Sequence, residues 1–333
     1  MSKATVAILG AGSWGTAVAI HLAKYNSQIL LWAHQQSHVE DMAKNRRNLR
    51  YLPDFEFPNN LTPIADLSLA VTLADIVIIA VPSHAFAEVL QLMPKPKTGL
   101  GWLTKGLDPS SQKFLSELVE AQWGKSFATA VISGPSFAAE VARGLPTALT
   151  VAGHHADYLR RIRDILHHEK MRVYLSGDTI GVQLSGAVKN VLAIACGISD
   201  GLSFGANAKA ALITRGLAEM RRLGKALHAE QETFMGLAGV GDLVLTCTDN
   251  QSRNRRFGLL IGQGKNLKDA EAQIGQVVEG KYNAAQVCAL ASRHQVEMPI
   301  CLAVNALLNQ QISPKEAVEE LMSRPPKEES SPD

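Results

Sequence analysis

The sequence has few of the residues that mark disulfide-rich, metal-binding or nucleic-acid-binding proteins. Its four cysteines lie far apart with no C-x-x-C spacing, so we expect buried free thiols instead of disulfides. The ten histidines show no H-E-x-x-H or comparable ligand spacing, so we predict no metal site. Lysine and arginine number 33 against 31 aspartate and glutamate residues. This balance argues against a nucleic-acid or membrane-surface protein as a class.

Long hydrophobic runs are also missing. No run of about 20 uncharged apolar residues occurs, which predicts no membrane span. The chain reaches its first predicted strand within five residues, without a charged region followed by a hydrophobic signal core. We therefore expect a soluble, cytoplasmic protein. At 333 residues and 46% hydrophobic composition, the chain can form cores in two domains of ordinary size.

A glycine-rich motif follows the first predicted strand. Residues 5–15 read TVAILGAGSWG, a β-branched and aliphatic run followed by Gly-x-Gly-x-x-Gly and a helical pattern. Gly10 permits a tight turn, Gly12 lets the backbone approach a pyrophosphate, and Gly15 lets the helix pack against the strand. The helix N-terminus directs free N–H groups at the phosphates. An ordinary loop would also fit the glycines alone, but the strand before and helix after them favour a dinucleotide site.

The end of the second predicted strand, Gln28 to Ala33, normally meets the adenosine ribose. An enzyme restricted to NAD tends to place an acid there, because its carboxylate binds the 2′-hydroxyl and repels a 2′-phosphate. Here the position holds Ala33, His34 and Gln35, so NADP should be tolerated. His34, or the nearby Arg46 and Arg47, could face the 2′-phosphate; the two arginines equally fit a solvated surface pair.

Strand and helix patterns alternate up to about residue 176. Residues 48–63 contain three prolines and no clear period, so we predict a loop or a short irregular excursion there. The alternation predicts a doubly wound α/β domain at 1–177, an all-helical domain at 178–322 and a disordered tail at 323–333. Further strands are predicted at Asp75 to Pro82, Leu100 to Thr104, Ala128 to Ser133, Thr147 to Ala152 and Met171 to Leu175.

Two of these predicted strands end in residues that could bind an oxygen-rich ligand. Lys105 directly follows one apolar strand, and Gly134 and Ser136 form a turn and helix start after the next. A lysine leaving a strand is often only a surface residue, and the turn is compatible with ordinary turn chemistry. We single out the three residues because ligands bind at the carboxyl ends of strands in open α/β sheets.

Two isolated charges mark the helical half. Lys189 is the only charged residue between Thr179 and Ser199, and Asp242 the only one between Thr233 and Thr248. A buried ammonium is costly unless paired, and burial suits it to giving and taking a proton. A lysine that snorkels from the helix edge is the alternative. We predict that Asp242 is the partner of Lys189.

A polar and basic segment opens the helix after Asp242. Ser252, Arg253 and Asn254 bring hydroxyl, guanidinium and amide groups together at a helix start, which predicts a phosphate clamp. A solvated basic helix face is the alternative.

Taken together, these motifs resemble one enzyme family. GAGSWGTA, VPSH, TKG, SGPSFAAE, AVKN, LAGVGDLVLTCT, SRNRRFG and VVEG follow one another in this order. The sequence resembles the bacterial NAD(P)-dependent sn-glycerol-3-phosphate dehydrogenases over nearly its whole length, the tail excepted. The resemblance implies a Rossmann-like domain, an all-helical domain and a site in the cleft between them. It also implies a homodimer and a role in glycerophospholipid synthesis.

The implied reaction is reversible hydride transfer between NADP or NAD and C2 of dihydroxyacetone phosphate, giving sn-glycerol 3-phosphate. Lys189 would exchange a proton with the C2 oxygen, Asp242 would orient Lys189 and substrate, and Lys105 would contact substrate and cofactor. The substrate would be held by Gly134, Ser136, Ser252, Arg253 and Asn254. The cofactor would be contacted by Gly10, Gly12, Ser13, Trp14, Gly15, His34, Ala138, Arg253, Val277 and Glu279. Ala138, Val277 and Glu279 rest on the resemblance alone.

Two other functions remain open at this stage. A related two-domain dehydrogenase for a 3-hydroxy acid, such as the 3-hydroxyisobutyrate type, also combines an α/β domain with helices and a lysine. A non-catalytic NAD(P)-sensing module would bind cofactor to regulate a partner. The isolated charges Lys189 and Asp242 argue against the sensor, which has no need of them.

Overall fold

The computed structural model describes residues 4–25 and 28–325, in which the chain forms two compact units. The first unit comprises Met1–Asp108 and Lys113–Thr179, and the second comprises Pro109–Gln112 and Ile180–Asp333. The predicted tail at 323–333 falls largely on residues 326–333, which lie outside the described residues.

The first unit is built on a mixed but mainly parallel sheet. Its eight strands follow the order β10-β9-β8-β7-β6-β1-β2-β5, and β3 and β4 form a separate two-stranded sheet. The strands are β1 (Thr5–Leu9), β2 (Gln28–Trp32), β3 (Arg47–Asn48), β4 (Leu52–Glu56), β5 (Leu61–Ile64), β6 (Ile76–Ile79), β7 (Leu100–Trp102), β8 (Thr129–Ser133), β9 (Thr147–Ala152) and β10 (Met171–Ser176).

The predicted doubly wound sheet is confirmed, with one departure in strand direction. The neighbouring pairs from β5 through β2, β1, β6 and β7 to β8 are all parallel, as is the pair of β9 and β10. The β8 and β9 strands run antiparallel. The chain therefore enters β9 from the same edge of the sheet at which β8 ends, and the two strands run in opposite directions.

The prediction of a loop over residues 48–63 was wrong. This segment contains the β4 half of a hairpin and the edge strand β5, which pairs in parallel with β2. Pro63 obscured the strand pattern. A proline is tolerated at this position because an edge strand needs no second row of ladder hydrogen bonds, and Leu61 fixes the strand by being fully buried.

Helices cover both faces of the sheet. The buried side of α1 runs from Gly15 to Ala23, and α7 buries one apolar stripe that begins at Tyr158. These stripes and the strands form one core. The helices of this unit are α1 (Ser13–Tyr25), α2 (Gln36–Asn45), α3 (Leu67–Leu73), α4 (Ser83–Leu92), α5 (Leu115–Trp123), α6 (Ala138–Arg143) and α7 (Ala156–Leu166).

The second unit is helical, as predicted, and no strand follows Ser176 within the residues up to 325. A π-helical turn at Leu237–Gly241 precedes α11. The α-helices are α8 (Thr179–Gly201), α9 (Gly205–Ala226), α10 (Gln231–Met235), α11 (Asp242–Thr248), α12 (Arg253–Gly262), α13 (Leu267–Ile274), α14 (Glu279–Arg293), α15 (Pro299–Leu308) and α16 (Pro314–Met322).

The long helix α8 is the central helix of this unit. In the part of the chain that the structure describes, it alone is long and apolar enough to cross a membrane, since its most apolar 18-residue window has a mean hydropathy of 1.3. However, 94% of that window is buried inside the structure. Its composition is therefore that of a core helix surrounded by other helices.

The α8 and α12 helices cross with their backbones in contact. A Cβ atom on Gly197 would lie 2.0 Å from the carbonyl oxygen of Arg255, and one on Gly258 would lie 2.1 Å from that of Ile194. Gly201 and Gly262 extend the same contact by one turn. Because no side chain separates the helices, the crossing fixes the residues at the start of α12 relative to the middle of α8.

A buried carboxylate holds the start of α15. Glu219 of α9 is 2% exposed, and it accepts hydrogen bonds from the backbone N–H groups of Ile300 at 2.6 Å and Cys301 at 3.2 Å. Burial raises the pKa of Glu219 from 4.5 to about 7, although these N–H groups and Arg222 oppose the shift. The Cys301 and Cys288 thiols also face this carboxyl.

Glu219 is expected to make stability fall as the pH rises. The folded state holds its proton at pH values where the unfolded chain has lost it, so this contribution is complete below about pH 4.5 and lost through about pH 7. It amounts to about 3 kcal/mol, since one pKa unit corresponds to about 1.4 kcal/mol. We expect the unfolding free energy of the wild type minus that of Glu219→Gln, measured by urea denaturation, to decline across this range. The exposed control Glu320→Gln should leave the pH curve unchanged, and a flat Glu219 difference would contradict the prediction.

Candidate active site

The three motif glycines occupy different environments that fit a dinucleotide-binding turn. Gly10 has a φ of +131°, and a Cβ there would lie 2.7 Å from the carbonyl carbon of Ala80. A Cβ on Gly15 would lie 2.0 Å from the Gly10 carbonyl oxygen, whereas one on Gly12 would meet nothing within 4 Å. Gly10 and Gly15 thus close the turn, and Gly12 leaves backbone open beside the start of α1. These are the roles that a pyrophosphate-binding turn requires.

Asn48 supports this turn from the adjacent hairpin. Its fully buried side chain donates to the Ala11 carbonyl and to Thr16 Oγ1, both at 2.8 Å. The hairpin makes a second contact, because Ser13 Oγ donates to the Tyr51 carbonyl at 2.9 Å. Sequence reasoning missed Asn48 because it lies at the start of the segment interpreted as a loop.

The basic residues near the end of β2 differ in exposure and in how many hydrogen bonds they already make within the protein. His34 is exposed at the strand end. Arg46 caps α2, and its guanidinium donates to the carbonyls of Leu61 (3.2 Å), Phe57 (3.0 Å) and Pro58 (2.6 Å). Arg46 therefore holds the chain before β5, and its suggested role at a 2′-phosphate stays a prediction.

A further arginine of the hairpin lies closer to this strand end. Arg50 is exposed, its Nη1 donates to Gln35 Oε1 at 3.1 Å, and its guanidinium lies 5.1 Å from the centre of the Tyr51 ring. Arg47 instead approaches Glu56 at 3.6 Å, and both side chains are well exposed. Sequence reasoning did not identify Arg50, because only the fold of the hairpin brings it next to the residue after His34.

Lys105, Gly134 and Ser136 lie together in the first unit. Lys105 follows β7 and Gly134 follows β8, which are neighbouring parallel strands. Lys105 Nζ donates to the Gly134 carbonyl at 3.2 Å, and Ser136 Oγ donates to the same oxygen at 3.2 Å. Gly134 has a φ of +137°, a conformation that favours glycine. An ammonium, a hydroxyl and a turn backbone are thereby collected at one end of the sheet. Ala138 begins α6 shortly after this turn.

Lys189 and Asp242 form the predicted ion pair. Lys189 Nζ lies 2.5 Å from Asp242 Oδ1 and 2.9 Å from Thr246 Oγ1, and Lys189 and Asp242 are 7% and 1% exposed. Thr246 Oγ1 in turn donates to the Asp242 carbonyl at 2.6 Å. The pairing prediction is confirmed, whereas the hydroxyl of Thr246 was missed. An ammonium held by a carboxylate and a hydroxyl on a buried helix can exchange a proton with a bound oxygen.

The π-helical turn places Asp242 at the first position of α11. Gly239 inside this turn departs from helical geometry, with φ −89° and ψ −107°, and a Cβ there would lie 2.2 Å from the Phe234 carbonyl oxygen. The chain therefore kinks at Gly239, just before α11 begins. A carboxylate in the first turn of a helix is also stabilised by the positive end of the helix dipole.

The start of α12 collects the predicted clamp residues. Ser252 is the helix cap, and its Oγ accepts from the Arg255 N–H at 3.2 Å. Arg253 Nη1 donates to Gln276 Oε1 at 3.2 Å, and Asn254 Oδ1 accepts from the Gly280 N–H at 2.9 Å. These two bonds bring α12 against the segment that contains Val277 and Glu279, both of which are half-buried.

The second arginine of this run is structural. Arg255 pairs with Asp200 and also donates to Asn250 Oδ1. Lys209 Nζ approaches Asp200 at 2.9 Å. Asp200 thus joins the end of α8 to α9 and α12. Sequence reasoning did not identify this cluster, because its members come from three different helices.

The cysteines are confirmed as buried free thiols: Cys196, Cys247, Cys288 and Cys301. The hydrogen bond with Cys196, together with burial, raises the pKa of the Cys247 thiol well above its usual range, which keeps it a poor nucleophile. Across residues 4–25 and 28–325, no three His, Cys, Asp or Glu side chains are grouped so as to hold a metal ion. A cavity of about 580 Å³ in the second unit contains none of the predicted site residues.

Comparison with known proteins covers nearly the whole chain. Residues 5–159 match the family model for the N-terminus of NAD-dependent glycerol-3-phosphate dehydrogenase, and residues 178–319 match the model for its C-terminus. A protein of Legionella pneumophila (strain Paris) named glycerol-3-phosphate dehydrogenase (NAD(P)+) is 64% identical over 329 residues, which cover 99% of this chain and 100% of that protein. A protein of the same name from Aeromonas salmonicida (strain A449) is 52% identical over 97% of this chain and 98% of its own length. The crystal structure of glycerol-3-phosphate dehydrogenase from Coxiella burnetii is 48% identical, with a TM-score of 0.93 over 97% of this chain and 100% of that one.

Proposed function

The chain belongs to the NAD-dependent glycerol-3-phosphate dehydrogenase family, and from that premise we propose that it reduces dihydroxyacetone phosphate reversibly to sn-glycerol 3-phosphate. The hydride donor is NADPH or NADH. The observation that carries the proposal is the buried pair of Lys189 and Asp242, because a charged pair on two apolar helices needs a chemical purpose as well as a structural one.

The first unit holds the cofactor. Open backbone at Gly12, and the N–H groups at the start of α1 near Ser13 and Trp14, fit a pyrophosphate. The exposed His34 lies where the adenosine ribose of a bound dinucleotide is expected. When bound, the reduced nicotinamide supplies a hydride to the C2 carbon of the substrate.

Lys189 provides the proton for the substrate oxygen. As negative charge develops on the C2 oxygen, the ammonium stabilises it and then donates a proton. Asp242 and Thr246 hold Nζ through the contacts of 2.5 and 2.9 Å, so the donor keeps one orientation. In the reverse direction the neutral amine accepts the proton from the C2 hydroxyl.

The substrate phosphate is held by the start of α12. Ser252, Arg253 and Asn254 contribute the hydroxyl, guanidinium and amide, and Arg253 also contacts the cofactor together with Val277 and Glu279. Lys105, Gly134 and Ser136 of the first unit bind substrate oxygens, with Lys105 and Ala138 contacting the cofactor. Binding energy from the phosphate, which does not react, fixes the carbonyl for reaction.

The proposed activity also suggests a metabolic role, a cellular compartment and an assembly for the enzyme. The sn-glycerol 3-phosphate supplies glycerophospholipid biosynthesis. The enzyme acts on a small molecule in the cytoplasm, without a nucleic-acid partner or membrane span, and it forms a homodimer, the commonest symmetric assembly.

The test is NADPH oxidation on addition of dihydroxyacetone phosphate to the purified protein, repeated with NADH and with phosphate-free dihydroxyacetone. Rapid oxidation that requires the phosphate supports the substrate and the clamp together. Reduction of NADP+ on addition of a 3-hydroxy acid, with no NADPH oxidation on addition of dihydroxyacetone phosphate, would identify the hydroxy-acid enzyme instead. NADPH binding without any turnover would indicate the sensing module.

Arg50 is expected to favour NADPH over NADH. Its guanidinium is exposed beside Gln35, where it can meet a 2′-phosphate, and a hydrogen bond to a charged group is worth about 1.5–3 kcal/mol. We expect Arg50→Ala to raise the KM for NADPH about tenfold and to leave the KM for NADH unchanged. Arg160→Ala, an exposed arginine of α7 that pairs with Asp157, is the control and should change neither constant. Equal effects of Arg50→Ala on both cofactors would contradict the assignment.

A further inference from the structure

A continuous chain of buried amides connects three helices of the second unit. The Gly280 N–H donates to Asn254 Oδ1 at 2.9 Å, and Asn254 Nδ2 donates to Asn190 Oδ1 at 2.9 Å. Asn190 Nδ2 donates to Asn283 Oδ1 at 3.1 Å, and Asn283 Nδ2 donates to Gln286 Oε1 at 3.1 Å. We refer to these four side chains, Asn254, Asn190, Asn283 and Gln286, as the amide relay. It joins α12, α8 and α14.

The backbone N–H of Gly280 fixes the orientation of the whole relay. A side-chain amide can turn over and exchange its oxygen for its nitrogen, but a backbone N–H can only donate. Asn254 must therefore present its oxygen to Gly280, which leaves its nitrogen to face Asn190. Asn190 must then present its oxygen to Asn254 and its nitrogen to Asn283. Asn283 in turn directs its nitrogen at the Gln286 oxygen, so each amide has one allowed orientation.

The relay lies beside residues that the proposed function uses. Asn190 directly follows Lys189 on α8, and Asn254 directly follows Arg253 on α12. On α14, Gly280 directly follows Glu279. A Cβ on Gly280 would lie 2.9 Å from Asn254 Oδ1, so α14 approaches α12 closely at this residue. The relay thus connects the chain positions proposed for proton transfer, phosphate binding and cofactor contact.

The relay is not arranged for stability alone. Asn283 is fully buried and Gln286 is 4% exposed, and the Nε2 atom of Gln286 has no hydrogen-bond partner within the described residues. An unsatisfied buried donor is unfavourable, and apolar side chains of the same shape would remove that cost. A role in positioning other groups accounts for amides at these two places.

We propose that Asn283 and Gln286 are positioning residues: through the amide relay they fix the Asn190 and Asn254 amides, and with them the substrate-binding start of α12. The inference rests on the proposed function. Neither residue need touch the substrate. Each acts through a hydrogen bond to the next amide, so the loss of Asn283 should have a larger effect than the loss of Gln286.

The test is a comparison of Asn283→Leu, Gln286→Leu and the double variant with the wild type. We expect Asn283→Leu and the double variant to raise the KM for dihydroxyacetone phosphate about tenfold, the effect of losing roughly one hydrogen bond. The dissociation constant of sn-glycerol 3-phosphate, measured by calorimetry, should rise in parallel. NADPH binding, followed by nicotinamide fluorescence, should stay within about twofold, because the Gly280 to Asn254 bond remains. Gln286→Leu should show a smaller rise.

Two further variants separate positioning from stability. Asn283→Asp keeps an oxygen that accepts from Asn190 Nδ2, and it should recover most of the lost affinity. Ser199→Ala changes another buried polar residue of α8 and should leave the KM unchanged whatever its effect on Tm. If Asn283→Leu fails to fold, the test rests on Gln286→Leu: a raised KM supports the amide relay, and an unchanged KM overturns it.

The outcomes for the two proposals are distinct. A wild type that does not reduce dihydroxyacetone phosphate defeats the proposed function, whatever the variants do. An active wild type together with an unchanged KM in Asn283→Leu and in the double variant overturns the relay. A KM that follows Tm equally in Ser199→Ala and Asn283→Leu also overturns it, since the effect would then be one of stability.

Discussion

Replacement of Lys189 by methionine is expected to lower kcat for dihydroxyacetone phosphate reduction by at least about 10²–10⁴-fold, the contribution of a positioned general acid. Methionine fills a similar volume but has no proton to give and no charge to stabilise the C2 oxygen. NADPH binding should persist, because the glycine turn that fits the dinucleotide belongs to the first unit and Lys189 to the second. Steady-state kinetics and nicotinamide fluorescence measure the two effects. A kcat within tenfold of the wild type would contradict the catalytic role.

The same substitution leaves a buried carboxylate without its cation. Asp242 is 1% exposed, and removal of one partner of a buried ion pair typically costs about 3–5 kcal/mol. The double variant Lys189→Met with Asp242→Asn removes the uncompensated charge and should regain most of that stability in urea unfolding. Its kcat should stay as low as that of the single variant. Recovery of activity together with stability would show that Lys189 acts through folding and not through proton transfer.

The isolated charges of the helical half were predictable from the sequence because an apolar surrounding makes a charge conspicuous. Lys189 and Asp242 each stand alone in a run without other charges, and each alone would be unfavourable in a core. Their pairing follows from that cost, and the 2.5 Å contact confirms it. Their catalytic roles, and those of the other site residues, stay predictions.

The polar residues that support this pair could not be predicted in the same way. Thr246 and Asn283 are ordinary uncharged polar residues of their helices, and their partners Lys189 and Asn190 lie 57 and 93 positions away. Only the crossing of the helices brings them together. The sequence contains one hint of that crossing, glycines spaced four apart in both α8 and α12, whose meaning depends on knowing that the two helices meet.

The errors in the first unit have a similar origin. Alternating patterns predicted most of the parallel strands because buried strands are continuous apolar runs. The β5 strand escaped because Pro63 and its edge position weaken that pattern, and with it the support that Asn48 gives to the glycine turn was missed. The direction of β9 depends on the edge of the sheet from which the chain enters this strand. The sequence of the strand itself carries no information about that edge.

Gly197→Ala is expected to lower the free energy of unfolding by overpacking the contact between α8 and α12. The added Cβ would lie 2.0 Å from the Arg255 carbonyl oxygen and 2.8 Å from the Leu259 nitrogen. These are backbone atoms that cannot rotate away, so α8 and α12 must separate. Overpacking of this kind costs about 1–3 kcal/mol and occasionally more, against a gain of about 1 kcal/mol from replacing a mid-helix glycine with alanine. We expect a net loss of about 2 kcal/mol or more in urea unfolding, because two backbone contacts are violated at once.

The separation should also reach the site, which distinguishes it from a general loss of stability. The 2.9 Å hydrogen bond from Asn254 to Asn190 crosses the same two helices, so the folded fraction of Gly197→Ala should show a raised KM for dihydroxyacetone phosphate. Gly177→Ala is the matched control: nothing lies within 4 Å of a Cβ there, and its stability should change by less than about 0.5 kcal/mol. A Gly197→Ala variant that loses stability but keeps the KM of the wild type would mean that the helices can part without disturbing the amides. In that case the backbone contact would not set the geometry of the site.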